Sequence, residues 1–373
     1  MAVIRLDNVR PKILRWAFER AGFSENDAIA AFPKLANWLS GELQPTMKQL
    51  ENFASKFHVP LGYLLLNNPP QEEVPIPMFR GAASIKNYFD LDVYDTILMM
   101  QYRQDWVREY LIENDIETCN LVGCINLNTP VSETVSILRK ALSLEPRWAF
   151  SISDYAPAIN LLTQQIEDNG IFVIFNGVVG NNTHRPIKVN ECRGFALVDK
   201  TAPFIFVNSR DSKSAQMFTL IHEIVHIMLG VSAGHAGDNF MSKDLTEQYC
   251  DKVAADFLVP ANVITEQWNN NTESLSKRFK VSELVIARRA HDIGLLNDAD
   301  YRAFWHNYSN RTITKQKNKS GGDFYLTSTK RVGKIFAIHV RNAVQMRQLS
   351  YTEAYRLTGL YGSTYQHFMI NNV

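Results

Sequence analysis

The stretch Ala215-Gln216-Met217-Phe218-Thr219-Leu220-Ile221-His222-Glu223-Ile224-Val225-His226-Ile227-Met228-Leu229-Gly230 decides how the rest of the chain is read. Its apolar residues recur at helical spacing and Gly230 follows the last of them, which predicts a helix over 215–229. On that helix His222 and His226 stand one turn apart, so both imidazoles can point at one ion. Glu223 lies about 100° further round the axis, off the metal. There it can take a proton from a water whose pKa a zinc ion lowers toward ~7. Met217, Leu220, Ile221, Ile224 and Met228 fall on the opposite side of the wheel, which predicts one face in the core and the other toward a cleft. The competing reading, a chance match on a solvated helix, does not explain that apolar back face.

A third donor is needed. The metzincin pattern wants Gly at 229 and His at 232, and this chain has Leu229 and Ser232. His235 stands in a glycine-rich loop after the helix. Glu247 opens the next predicted helix, 245–258, which Pro260 stops. Glu247, Asp251, Ala254 and Leu258 share one face, and the alanines allow close approach to the motif helix. Glu247 is the better candidate and leaves a fourth position for water. Asp251 can accept an imidazole N–H. The competing reading makes Glu247 a surface carboxylate and Asp251 a helix-stabilising one.

Outward from the motif, Ile171–Phe175, Arg193–Val198 and Phe204–Val207 read as strands, with a polar loop over Gly177–Pro186 and a turn over Asp199–Pro203. Phe204–Val207 is either an edge for an extended peptide or an ordinary core strand. Helices are predicted over Tyr88 to about Asn114, Val131–Leu144 and Tyr155–Asn169. Residues 1–68 read as short helices, broken at Ser40-Gly41-Glu42 and restarted at Pro45-Thr46. Asn67–Pro77 holds four prolines in eleven residues and reads as a linker. The domain reading is therefore a helix-turn-helix unit over 1–68, a linker over 69–80, a helical connection over 81–150, a metal-site core over 151–265 and a helical C-terminal region over 266–373. The fold class is α+β, mostly helical.

Lys plus Arg number 39 and Asp plus Glu 38, so no global charge points to nucleic acid or a membrane. The first residues lack a signal-peptide core, and no apolar run is long enough to span a bilayer. Cys119, Cys124, Cys192 and Cys250 form no CxxC pair. Reduced, small buried core residues in a cytoplasmic protein are the expectation. Lys315–Gly322 and nearby Lys330, Arg331 and Lys334 read as a solvated basic region or a contact for an acidic partner or nucleic acid.

With the strands included, residues 155–262 resemble the ImmA/IrrE family of bacterial metallopeptidases, through Arg193–Leu197, Pro203–Asn208, Phe218–His226 and Glu247–Pro260. The resemblance implies a zincin-like core with one zinc ion per chain on His222, His226 and Glu247, and Glu223 as general base. Family members often have Ala and Asn where this chain has Cys250 and Asp251. Better-known members cleave helix-turn-helix repressors, which implies an endopeptidase acting on one protein partner, a repressor or other regulator. His184, Arg193, His235 and Tyr249 are the candidates for stabilising its transition state.

Residues 1–66 resemble a divergent Xre-type helix-turn-helix, through Phe32–Glu42, Gln44–Thr46 and Leu50–Ala54. The resemblance makes Lys34, Asn37 and Gln44 candidate contacts to operator DNA. Eight basic residues against six acidic ones leave only +2 over this segment, which argues for weak DNA affinity. A helical module for protein contact or homodimerisation is as good a reading. Ser282–Arg289 resembles a stretch that often follows the peptidase core in this family, and residues 321–367 resemble the C-terminal part of longer family members. Fusions of this kind resemble proteins found beside toxin genes. The alternative function is therefore an antitoxin or regulator that holds a toxin partner or operator DNA with little or no proteolysis.

Overall fold

Local capping chemistry sets most element boundaries. The computed structural model describes residues 5–6, 8–72, 76–80, 90–117, 119–236, 244–311 and 323–373, with backbone only at 78–80, 235 and 236. It divides into two compact units, Met1–Pro75 with Asn87–Tyr94, and Ile76–Lys86 with Asp95–Val373.

The smaller unit contains helices α1 (Pro11–Arg20), α2 (Glu25–Ala31), α3 (Leu35–Ser40) and α4 (Met47–Lys56). Pro11 opens α1, where a missing N–H costs nothing. The Ser24 hydroxyl accepts the Asp27 N–H at the start of α2. α3 ends at Gly41, whose φ of 80° is the left-handed conformation that glycine adopts without strain. Thr46 and Gln49 form a reciprocal capping box on α4. Ile13, Leu14, Phe18, Leu35, Trp38, Leu50, Phe53 and Phe57 make the core. Lys34 and Asn37 are exposed, while Gln44 is half-buried and its backbone carbonyl accepts from Arg5.

The larger unit is built round a five-stranded mixed sheet. Its strands are β1 (Met78–Arg80), β2 (Phe172–Asn176), β5 (Gly194–Leu197), β6 (Phe204–Asn208) and β7 (Ala233–Ala236), in the order β1-β7-β5-β6-β2. β2 and β6 are parallel, β5 is antiparallel to both β6 and β7, and β1 is parallel to β7. The Asp199 carboxylate accepts the Thr201 and Ala202 N–H groups in the β5–β6 turn. Gln104 ties that turn from outside, donating to the Leu197 and Ala202 carbonyls.

Two strand expectations change, and for a third strand one of two readings holds. Gly177–Pro186 is not a plain loop but a small hairpin, β3 (Val178–Val179) with β4 (Asn182–Pro186). The glycine-containing segment after the motif helix holds β7, which has no alternating pattern and is a strand because it pairs on both sides. Phe204–Val207 is no edge: β6 lies between β5 and β2 and is buried throughout.

The remaining helices are α5 (Leu91–Glu113), α6 (Val131–Leu142), α7 (Tyr155–Glu167), α8 (Lys213–Leu229), α9 (Leu245–Leu258), α10 (Ala261–Gln267), α11 (Thr272–Phe279), α12 (Glu283–Asp292), α13 (Asp298–Ser309), α14 (Phe324–Val332), α15 (Lys334–Gln345), α16 (Tyr351–Thr358) and α17 (Gly362–Asn371), of which α7, α8, α14 and α15 pack on the strands. The molecule is thus α+β and mostly helical. α5 begins within the smaller unit and continues into the larger from Asp95. Its Arg103 is 4% exposed and donates to the Leu357 carbonyl at 2.8 Å and the Arg331 carbonyl at 3.0 Å, near the ends of α16 and α14. Burial pushes its pKa down to about 10. Phe336 on α15 meets Phe172 and Phe204 edge-on, so the C-terminal helices cover β2 and β6.

Cys119, Cys192 and Cys250 are buried, but Cys124 is exposed in the segment before α6, against expectation. Tyr88 and Phe89 of the expected long helix, residues 73–75 of the expected linker and the basic loop Lys315–Gly322 lie outside the described residues. No helix among the described residues is long and apolar enough to cross a membrane.

Candidate metal centre

α8 and α9 build the centre together. The Ser212 hydroxyl accepts the Ala215 N–H at the start of α8, and Gly230 closes it in the left-handed conformation. The Asp244 carboxylate accepts the Thr246 and Glu247 N–H groups and starts α9. The expected apolar back of α8 is buried, but so is its other side: His222, Glu223 and His226 are all 0% exposed. The expected partition between core and open cleft is therefore corrected. α9 packs over the histidine face, and the helix is buried on every side from Thr219 to Met228.

His222 Nε2 and His226 Nε2 are 3.1 Å apart. The Glu247 carboxylate, 0% exposed, stands 3.0 Å from His226 Nε2 and 3.3 Å from His222 Nε2. Asp251 Oδ1 lies 3.0 Å from His222 Nδ1, the nitrogen on the far side of that ring. Cys250 also faces the pair: its Sγ and one nitrogen of each histidine all lie within 4.8 Å of one another, a group that could hold a metal ion.

The donor set fits a metal. Three ligands of a tetrahedral zinc with ~2.0–2.1 Å bonds lie about 3.3 Å apart, close to the three nitrogen and oxygen separations here. Both Glu223 carboxylate oxygens and His226 Nδ1 are buried without a hydrogen-bond partner. Leaving such atoms unpaired is costly, which is tolerable where a ligand or water belongs.

The same crowding sets the ionisation of the metal-free side chains. Burial pushes the Glu223 carboxyl up to about 8; the His222 charge opposes this, and Glu247 and Asp251 add to it. Burial lowers the His226 pKa. Burial would also lower His222, but the hydrogen bonds with Asp251 and Glu247 outweigh it and hold the ring well above its ordinary value.

Sequence reasoning missed Gly194 of β5. A Cβ there would lie 2.5 Å from Thr219 Cγ2, 2.7 Å from the Phe206 carbonyl and 3.3 Å from Glu223 Oε1. A glycine therefore lets β5 approach α8 where Glu223 sits. It also missed Cys250 as a candidate donor, although its place three residues after Glu247 was the available signal.

The residues suggested for transition-state stabilisation are scattered. The Tyr249 hydroxyl binds Thr134 Oγ1 at 2.5 Å and donates to the Thr129 carbonyl at 2.9 Å, so it is committed to the α6 side. Arg193 pairs with Asp211 at 3.2 Å. His184 is exposed on β4, and the His235 side chain lies outside the described residues.

Residues 166–291 match the family model of the IrrE N-terminal-like domain (Peptidase_M78), which suggests a metallopeptidase. They contain α8, α9 and four of the five strands of the main sheet. Residues 332–371 match a domain of unknown function (DUF8813). Neither the curated proteins nor the solved structures contain a match to the chain.

Proposed function

We propose that the chain is a zinc-dependent endopeptidase that cleaves one protein partner, a transcriptional repressor or regulator. The observation that carries this is Glu223, a buried carboxylate with no hydrogen-bond partner, one residue along α8 from a histidine of the buried His222/His226 pair. His222, His226 and Glu247 would hold the ion, with Asp251 fixing the His222 ring through Nδ1. A bound zinc ion supplies Lewis acidity, which polarises a carbonyl and acidifies water. Ionised Glu223 accepts a proton from the attacking water and returns it to the departing amine nitrogen. Gly194 keeps the space that this carboxylate needs.

The test pairs metal analysis with cleavage. Wild-type protein should carry one zinc per chain. Glu223→Gln should keep that zinc and still bind the partner while cleavage stops. If the variant keeps its full biological effect, the chain acts by holding its partner and the peptidase reading falls.

A further inference from the structure

We infer that Cys250 is a fourth protein donor to the ion, so that the resting centre is closed by four side chains rather than left open at one position. The inference rests on the reading that His222, His226 and Glu247 hold a metal, and it deepens that reading. Glu247 and Cys250 are three residues apart on α9 and so share the face that meets α8. Cys250 is 0% exposed, and its sulfur lies within 4.8 Å of a nitrogen of each histidine. A tetrahedral site with ~2.0–2.1 Å bonds to nitrogen and ~2.3 Å to sulfur sets the two donors about 3.5 Å apart. The sulfur therefore needs to approach the histidine nitrogens by at most about 1.3 Å. Beside this cluster, on the next residue of α8, both Glu223 carboxylate oxygens are buried without a hydrogen-bond partner.

The chemistry balances without a co-reactant. On metal binding the Sγ–H bond breaks, a sulfur–metal bond forms, and the proton leaves to solvent; no electron changes hands. Four protein donors are the set of a structural zinc site, whereas catalytic sites keep one position open. Cys250 would then hold the peptidase latent, and hydrolysis would require the sulfur to let go.

The full chain, stripped of metal and loaded with cobalt(II), separates the outcomes. We expect one cobalt per chain, visible ligand-field bands, and a sulfur-to-cobalt charge-transfer band in the near ultraviolet. Cys250→Ala should lose the near-ultraviolet band, keep the visible ones, and bind zinc about 10-fold or more weakly, since even outer partners of metal ligands are worth ~10–100-fold. Cys250→Ser, closer in size, repeats the measurement if the alanine variant is unstable. Visible bands without the near-ultraviolet band in wild type, or a near-ultraviolet band that survives both substitutions, overturn the inference and leave the three-ligand reading standing. Failure of wild type to bind cobalt or zinc overturns the metal reading itself, and this inference with it.

Discussion

Arg103 and Glu223 are both ionisable, both on helices of the larger unit and both almost wholly buried, yet their surroundings differ in kind. Arg103 is spent: its guanidinium donates to two helix-end carbonyls and lies over the Phe336 ring, 5.5 Å from its centroid. Glu223 has no hydrogen-bond partner for either oxygen. A buried charge that satisfies backbone carbonyls contributes to stability. One left unpaired costs stability and is retained where chemistry needs it. Burial alone does not separate the two roles; the state of the hydrogen bonds does.

The comparison breaks most sharply if Glu223 proves to be structural. Glu223→Gln should lower cleavage by ~10²–10⁴-fold with zinc content unchanged; full activity in a zinc-loaded variant would remove Glu223 from the chemistry. Arg103→Met should do the reverse. It strands the Leu357 and Arg331 carbonyls and should cost roughly 2–4 kcal/mol in a denaturant titration while the folded fraction keeps its zinc. A midpoint equal to wild type would mean that water replaces the guanidinium.

Asp251→Ala probes the ring behind the metal face and should weaken zinc binding by ~10–100-fold, read by competition with a chelator. An unchanged affinity would leave the 3.0 Å contact to His222 without a role in holding the ion.

The smallest effect concerns Glu167, whose carboxyl is pushed up to about 7, first by burial, with Lys334 and the Ile335 N–H opposing. Its folded pKa exceeds the unfolded value. The folded state therefore binds the extra proton between about pH 4.5 and 7, and stability falls as pH rises through that window. Glu167→Gln should flatten this fall and gain on the order of 1 kcal/mol over wild type at pH 8 but not at pH 4. Parallel pH profiles would discard the assignment.

The parts of the fold legible in the sequence are those written in local chemistry. α9 runs over Leu245–Leu258 because Asp244 caps its first turn and Val259-Pro260 ends it. Gly41 and Thr46 likewise bound α3 and α4 in the smaller unit. β7 was not legible: Ala233-Gly234-His235-Ala236 has neither alternation nor β-branching, and its partners lie far away in sequence. The enclosure of the histidine face was hidden for the same reason, because it depends on how two helices pack. His222, Glu223, His226 and Glu247 could be named from spacing, whereas Gly194 could not. Nothing local marks a strand glycine as the one that clears room for a carboxylate on another element.

The β1–β7 pairing also governs the order of events at the ribosome. Met78 pairs with Gly234, 156 residues later (234 − 78). At ~5–20 residues per second, Met78–Arg80 is made roughly 8–31 s before the strand that receives it. Helices α1–α4, complete by Lys56, need no such wait. Synthesis thus imposes a schedule in which one end of the chain can fold early while the sheet stays at the three strands β5, β6 and β2, with β1 unpaired, until β7 has been made.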